Sequence, residues 1–131
     1  MRPANWQGFI TVKNLETGES RRVQNAILDG GFTLTGQLWL GQTTEEFAQL
    51  QIEDATASNT LAKAITGSYD VTSGVLTVTS TALFTSGEVS FDVATVALLG
   101  STGTRIAEAS VSITAGTAVE ITREDQLSAA V

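Results

Sequence analysis

The 131-residue chain has no cysteine and no histidine, one proline and only seven basic residues. Each shortage excludes chemistry. Without cysteine there is no disulfide framework and no thiol nucleophile, and without either residue no Cys- or His-ligated zinc site. Without histidine the commonest general base is missing. Fourteen acidic residues leave a net charge of -7, which opposes nucleic-acid binding because phosphate neutralisation needs Lys and Arg. No apolar run reaches the roughly 18–20 residues that a membrane-spanning helix needs. The start, Met1 to Trp6, has a positive charge but no apolar stretch behind it, so no secretory signal is expected. A protein made in the cytoplasm, with no membrane partner, follows as the expectation.

What is present points to strands. Twenty Thr, 16 Ala, 12 Gly and 11 Ser dominate, and mean hydropathy is +0.14, too apolar for a disordered chain. The length suits one domain. Charge is uneven: residues 1–25 carry a net +2 and residues 26–131 a net -9, so a basic N-terminal piece could meet an acidic neighbour.

Strands are expected at 8–14 and 20–24, joined by a hairpin turn with Gly18 at positive φ. Asn25 to Phe32 reads as a turn or a very short helix. Gln37 to Gly41 reads as a short buried strand. Alternation of Phe47, Gln49 and Gln51 against Ala48, Leu50 and Ile52 favours a strand ending at Glu53-Asp54, and Thr60 to Ala64 reads as one helical turn. Strands follow at 65–71, 75–84, 89–98, 107–113 and 119–121, separated by glycine-containing turns. A phase switch between Val93 and Val96 predicts a β-bulge, or a strand buried on both sides, near Ala94-Thr95. About eight short antiparallel strands make an all-β sandwich or jelly-roll-like barrel. The domain is assigned to residues 8–125, with an extended N-terminal arm at 1–7 and a C-terminal tail at 126–131. Threonine-rich strand faces with little charge suggest a homo-oligomer, a trimer or dimer.

Catalytic candidates are thin. Only Lys13 and Lys63 could serve a serine nucleophile as base, and neither lies in a Ser-x-x-Lys setting. The carboxylates Glu45, Glu46, Glu53, Asp54, Asp92 and Glu108 could form an acid/base pair, but no spacing brings two together. Glu53-Asp54 and Glu124-Asp125 are adjacent acids, better read as solvated charge than as calcium ligands. No enzyme activity, cofactor or metal is expected. Interface candidates are Arg2, Pro3 and Trp6 of the arm, Arg21 and Arg22 of the second strand, and Gln126, Leu127 and Val131 of the tail. Trp6 is expected to cover its own core edge before that of a partner.

The order of segments gives a role. Trp6-x-Gly8, Glu16-Thr17-Gly18-Glu19, Asn25 to Gly31 and Leu38-Trp39-Leu40-Gly41 resemble the opening of small tailed-bacteriophage virion proteins. Ala57 to Ala62, Phe84 to Glu88, Val96 to Gly100 and Ala115 to Thr122 are similar to later blocks of the same proteins. The resemblance implies a virion structural protein on the particle surface. In this reading it decorates or stabilises the capsid, with the major capsid protein or tail proteins as partners and no catalytic residues to carry over. A short tail, neck, baseplate or fibre-associated component is the alternative. A cellular β-sandwich binding module is a third reading.

Overall fold

The computed structural model describes residues 4–129 and is all-β apart from one helix. The strands are β1 (Ala4–Asn14), β2 (Ser20–Ile27), β3 (Phe47–Glu53), β4 (Thr60–Ala64), β5 (Thr66–Thr72), β6 (Val75–Phe84), β7 (Val93–Gly100), β8 (Arg105–Ile113) and β9 (Val119–Ala129). Helix α1 (Asp29–Trp39) follows β2. The strands form one antiparallel sheet in the order β4-β3-β7-β8-β2-β1-β9-β6-β5.

That sheet curls into a half-barrel. Its two ends belong to consecutive strands, since β4 and β5 are separated only by Ile65. The chain therefore steps from one edge of the sheet to the other in a single residue, and β4 comes into contact with β6. The expected all-β fold is present, its apolar face buried by one sheet curling on itself.

Period-2 alternation aims the core inward. Ile10 on β1, Leu50 and Ile52 on β3, Phe84 on β6, Val96 and Leu98 on β7, and Val119 and Ile121 on β9 are all buried. The bulge expected near Ala94-Thr95 is there: the β7–β8 register shifts between Val93 and Thr95, with the extra residue on β8. A second shift pairs Leu98 with Ala107 and Leu99 with Arg105, leaving Ile106 as the extra residue. Ile106 and Ala107 are consequently both buried, a break in alternation that a bulge permits.

Three expectations are corrected. Gln37 to Gly41 is not a buried strand, because Gln37 to Trp39 complete α1 and Leu40 and Gly41 follow it. Three glycines make α1 a poor intrinsic helix, so packing holds it. A Cβ on Gly30 would stand 2.5 Å from the Arg105 carbonyl oxygen, and one on Gly31 2.6 Å from that of Ile106. These glycines let the helix backbone lie directly on β8, where Leu34 enters the core. Thr60 to Ala64 is strand β4, because five cross-strand pairs to β3 outweigh a single isolated turn.

The arm and tail are the third correction. Residues 4–7 begin β1 and pair with residues 126–129 of β9. β9 is flanked on its other side by β6, with Thr77 opposite Gln126 and Leu76 opposite Leu127. Residues 126–128 are thus paired on both sides inside the sheet, and residues 4–7 on the β9 side. Arg2, Pro3 and Val131 lie outside the described residues.

Phe84 has no exposed surface, whereas its neighbour Leu83 is 52% exposed on the opposite face. Phe84→Ala is expected to lower unfolding free energy by about 3–5 kcal/mol, and Leu83→Ala by no more than ~0.5 kcal/mol. Urea unfolding of the two variants checks the assignment of faces.

Candidate functional site

β9 carries its alternation past the apolar core into charge. Val119, Ile121, Arg123 and Asp125 all point inward, and Arg123 has no exposed surface. Residues two apart on a strand share a face, so the guanidinium meets the carboxylate in a fork. Nε donates to Asp125 Oδ2 at 2.6 Å and Nη2 to Oδ1 at 2.5 Å. Trp6 Nε1 donates to the same Oδ1 at 2.9 Å.

Neighbouring strands complete this polar island. Gly8 on β1 lies between Asp125 and Asn25, and Ser80 on β6 lies opposite Arg123. A Cβ on Gly8 would collide with Asn25 Oδ1 and stand 2.9 Å from Arg123 Nη2, so glycine makes room for both side chains. The amide of Asn25 and Nη1 of Arg123 are buried without a hydrogen-bond partner. Trp6 closes the island, packing edge-on to Phe32 of α1 (centroids 5.2 Å) and stacked on Phe47 of β3 (6.3 Å). Trp6 is thus bound within its own domain. Asp125, expected as solvated charge beside Glu124, is buried. The signal for it was the inward phase of Val119 and Ile121 continued through residues 123 and 125.

A second charged cluster lies on the outer face. Arg105 of β8 reaches across β7 to Glu53 of β3, with Nη1 and Nη2 at 2.7 and 2.8 Å from its two oxygens. Arg105 Nε also donates to Glu108 at 2.8 Å, and Gln51 Nε2 to Glu53 at 2.7 Å. The Arg105 hydrogen bonds hold the Glu53 carboxyl below its ordinary range, against the opposing effect of burial. Two of the six candidate carboxylates therefore converge, but on one guanidinium that bonds to both.

Glu45, Asp54, Asp92 and Glu88 brace turns. Glu45 accepts from the Thr102 and Thr104 amides and from Thr104 Oγ1 at 2.6 Å, over the turn that follows Gly100. Hydrogen bonds from Thr102, then from Thr104, lower its pKa from 4.5 to about 2. Asp54 accepts from the amides of Thr56, Ser58 and Asn59 and from Asn59 Nδ2. Asp92 accepts from the Ala115 amide. Glu88 accepts from the Thr85 amide and pairs with Lys63 at 2.9 Å. Among the described residues no group of three or more Asp or Glu is placed to hold a metal ion.

Of the described interface candidates, Arg22 lies on the outer face, over the Phe9 ring at 4.1 Å and 3.0 Å from Glu124. Arg21 is exposed beside the β1–β2 hairpin. Gln126 and Leu127 are half-buried in β9. The apolar surface that sequence reasoning missed is the end of α1. Trp39 is 86% exposed and Leu40 70%, with Phe32 and Leu38 also exposed. No charged residue occurs from Gly30 through Thr44.

Asp125→Ala leaves a buried, uncompensated guanidinium, for an expected loss of about 3–5 kcal/mol. Arg123→Met combined with Asp125→Leu removes both charges, and its loss should be much smaller. Chemical denaturation of the two variants measures the difference. For Glu45, a folded pKa below the unfolded one means its stabilisation is complete above the ordinary carboxylate range and lost as pH falls toward about 2. Glu45→Gln should therefore flatten the decline in melting temperature between about pH 4.5 and pH 2.

Comparison with protein-family models, curated proteins and solved structures finds no match to this chain.

Proposed function

We propose that this protein is a non-catalytic structural component that docks onto a larger protein assembly through the exposed end of α1. In the setting implied by the segment resemblance, it is an accessory surface component of a bacteriophage particle that decorates or stabilises the capsid. The observation that carries the docking role is the exposure of Phe32, Leu38, Trp39 and Leu40 within a stretch, Gly30 to Thr44, that holds no charged residue. Exposed large apolar side chains grouped on one element mark protein contacts, and tryptophan is over-represented among the residues that anchor them. On a chain of net charge -7, an uncharged patch is where a partner approaches with least charge to desolvate.

Two features support a structural role. Glu53 and Glu108, two of the carboxylates that could have formed an acid/base pair, are both ion-paired to the single guanidinium of Arg105. The sheet that carries α1 has its two edge strands, β4 and β5, tied together through Ile65, which suits a rigid part. The virion setting rests on the segment resemblance alone, and the major capsid protein is the partner that the capsid reading implies.

Trp39→Ser should leave the melting temperature of the isolated protein nearly unchanged, because the side chain contacts mostly solvent. The same change should lower the protein's abundance in purified particles at least tenfold, measured by quantitative mass spectrometry. A wild-type copy number on the scale of the shell subunit supports decoration. A copy number on the scale of one ring moves the protein to the tail or neck. Absence from particles overturns the virion setting, and unaltered incorporation of the variant overturns the role of α1.

A further inference from the structure

The sheet is continuous in order but split in one place. β2 and β8 pair only at Ala26–Glu108 and Ile27–Ala107, supplemented by the Leu28 amide donating to the Ile106 carbonyl at 2.9 Å. Beyond that vertex the two strands diverge. Ser20 to Asn25 of β2 follow β1, while Ser110 to Ile113 of β8 follow β7. The divergence coincides with the bulge on β8 between Ser110 and Ile113. An extra residue there bends the strand and increases its twist. Among the described residues, the facing edges of β2 (20–24) and β8 (110–113) have no main-chain partner across the split.

The split is a cleft of about 850 Å³. Its floor is apolar, with Val12, Val23, Val111, Ile113 and Val119, and its rim is mostly Ser, Thr and Asn. Among the described residues, the charges lining it are Glu19 and Arg21, of opposite sign. Two sheet edges with unpaired amides and carbonyls over an apolar floor match the chemistry of one ligand class, an extended polypeptide.

We propose that the β2–β8 cleft binds an extended, uncharged segment of a partner protein, which inserts as an additional strand and makes the sheet continuous. Both edges of the inserted segment hydrogen-bond to this chain. Because β2 and β8 are antiparallel, the segment runs antiparallel to one of them and parallel to the other. Its alternate side chains must be apolar, to cover Val23, Val111 and Ile113, and those between must be polar. Charge complementarity sets the rest: walls whose two charges cancel favour a segment rich in Ser and Thr over an acidic or basic one. This surface is distinct from the end of α1, and the proposal does not depend on the virion setting.

The experiment titrates the isotopically labelled full chain with the acetylated, amidated peptide Thr-Val-Ser-Val-Ser-Val-Thr, read by amide chemical shifts and hydrogen exchange. Saturable shifts and slowed exchange at residues 20–24 and 110–113 are expected. The same peptide N-methylated at alternate residues keeps its side chains but loses its donors on one edge, and should bind at least tenfold more weakly. Val111→Lys should weaken binding by a similar factor, read on protein that retains the wild-type pattern of amide shifts away from the cleft. If that variant fails to fold, the N-methylated peptide still decides the question, because it leaves the protein unaltered. Equal affinity for the two peptides overturns strand insertion in favour of a simple apolar pocket. No saturable binding, or shifts confined to the surface around Trp39, overturns the site. Self-association in sedimentation that protects residues 20–24 and 110–113 without peptide overturns the partner, replacing it with a second copy.

Discussion

A nine-stranded sheet with one apolar face and no second sheet to cover it must bend until that face covers itself. In this protein the bend is enforced where β4 passes to β5, because Ile65 alone joins strands at opposite ends of the sheet order. The other features answer to that curvature. Bulges on β8 supply local bending, and Ile106 is turned into the core as a result. α1 fits only because Gly30 and Gly31 let it approach β8 at backbone distance. The split between β2 and β8 lies beside one of the same bulges.

Curvature also explains the placing of charge. The inner face of β9 runs from the apolar centre toward the Trp6 end, and inward positions there hold Arg123 and Asp125. A buried ion pair is weak evidence of net stability, since desolvation offsets most of the Coulombic attraction. Its geometric consequence is clearer. A fork between residues two apart, with Trp6 Nε1 on the same carboxylate and Gly8 opposite, is satisfied only when β1 and β9 are in register. A slip of one residue would turn Asp125 outward and leave the indole donor unpaired. The ordering of the chain's first and last strands is thereby coupled to a buried electrostatic contact.

The outer surface separates into three parts with different chemistry. Arg105 straps β8 to β3 over β7, and the turn carboxylates Glu45, Asp54 and Glu88 brace loops through backbone amides. Because the pKa values of Glu45, Glu53, Asp54 and Glu88 are all lowered, their contributions share one sign and weaken together in acid. The end of α1 is apolar and uncharged, and the β2–β8 cleft offers backbone edges. The last two are the surfaces on which partner binding is proposed, and of the basic residues in the first 25 only Arg21 lines either of them, at the cleft.

Local pattern determined a good deal. Alternation of Leu76, Val78, Ala82 and Phe84, the positive φ of Gly18 and the bulge near Thr95 were legible because strand period, turn chemistry and phase breaks are properties of adjacent residues. The absence of cysteine and histidine likewise excluded chemistries outright. Residues 37–41 were misread because a short apolar run bounded by glycine has no period of its own; contact of Gly30 and Gly31 with β8 made the segment helical. Residues 4–7 and 126–129 read as loose ends because a strand terminus gains its hydrogen bonds only from a partner more than a hundred residues away. The site features followed the same division. Arg123 and Asp125 are ordinary polar letters in sequence, and only the curl of the sheet put them inside. The cleft consists of bonds left unmade between β2 and β8, a relation that no single stretch of sequence contains.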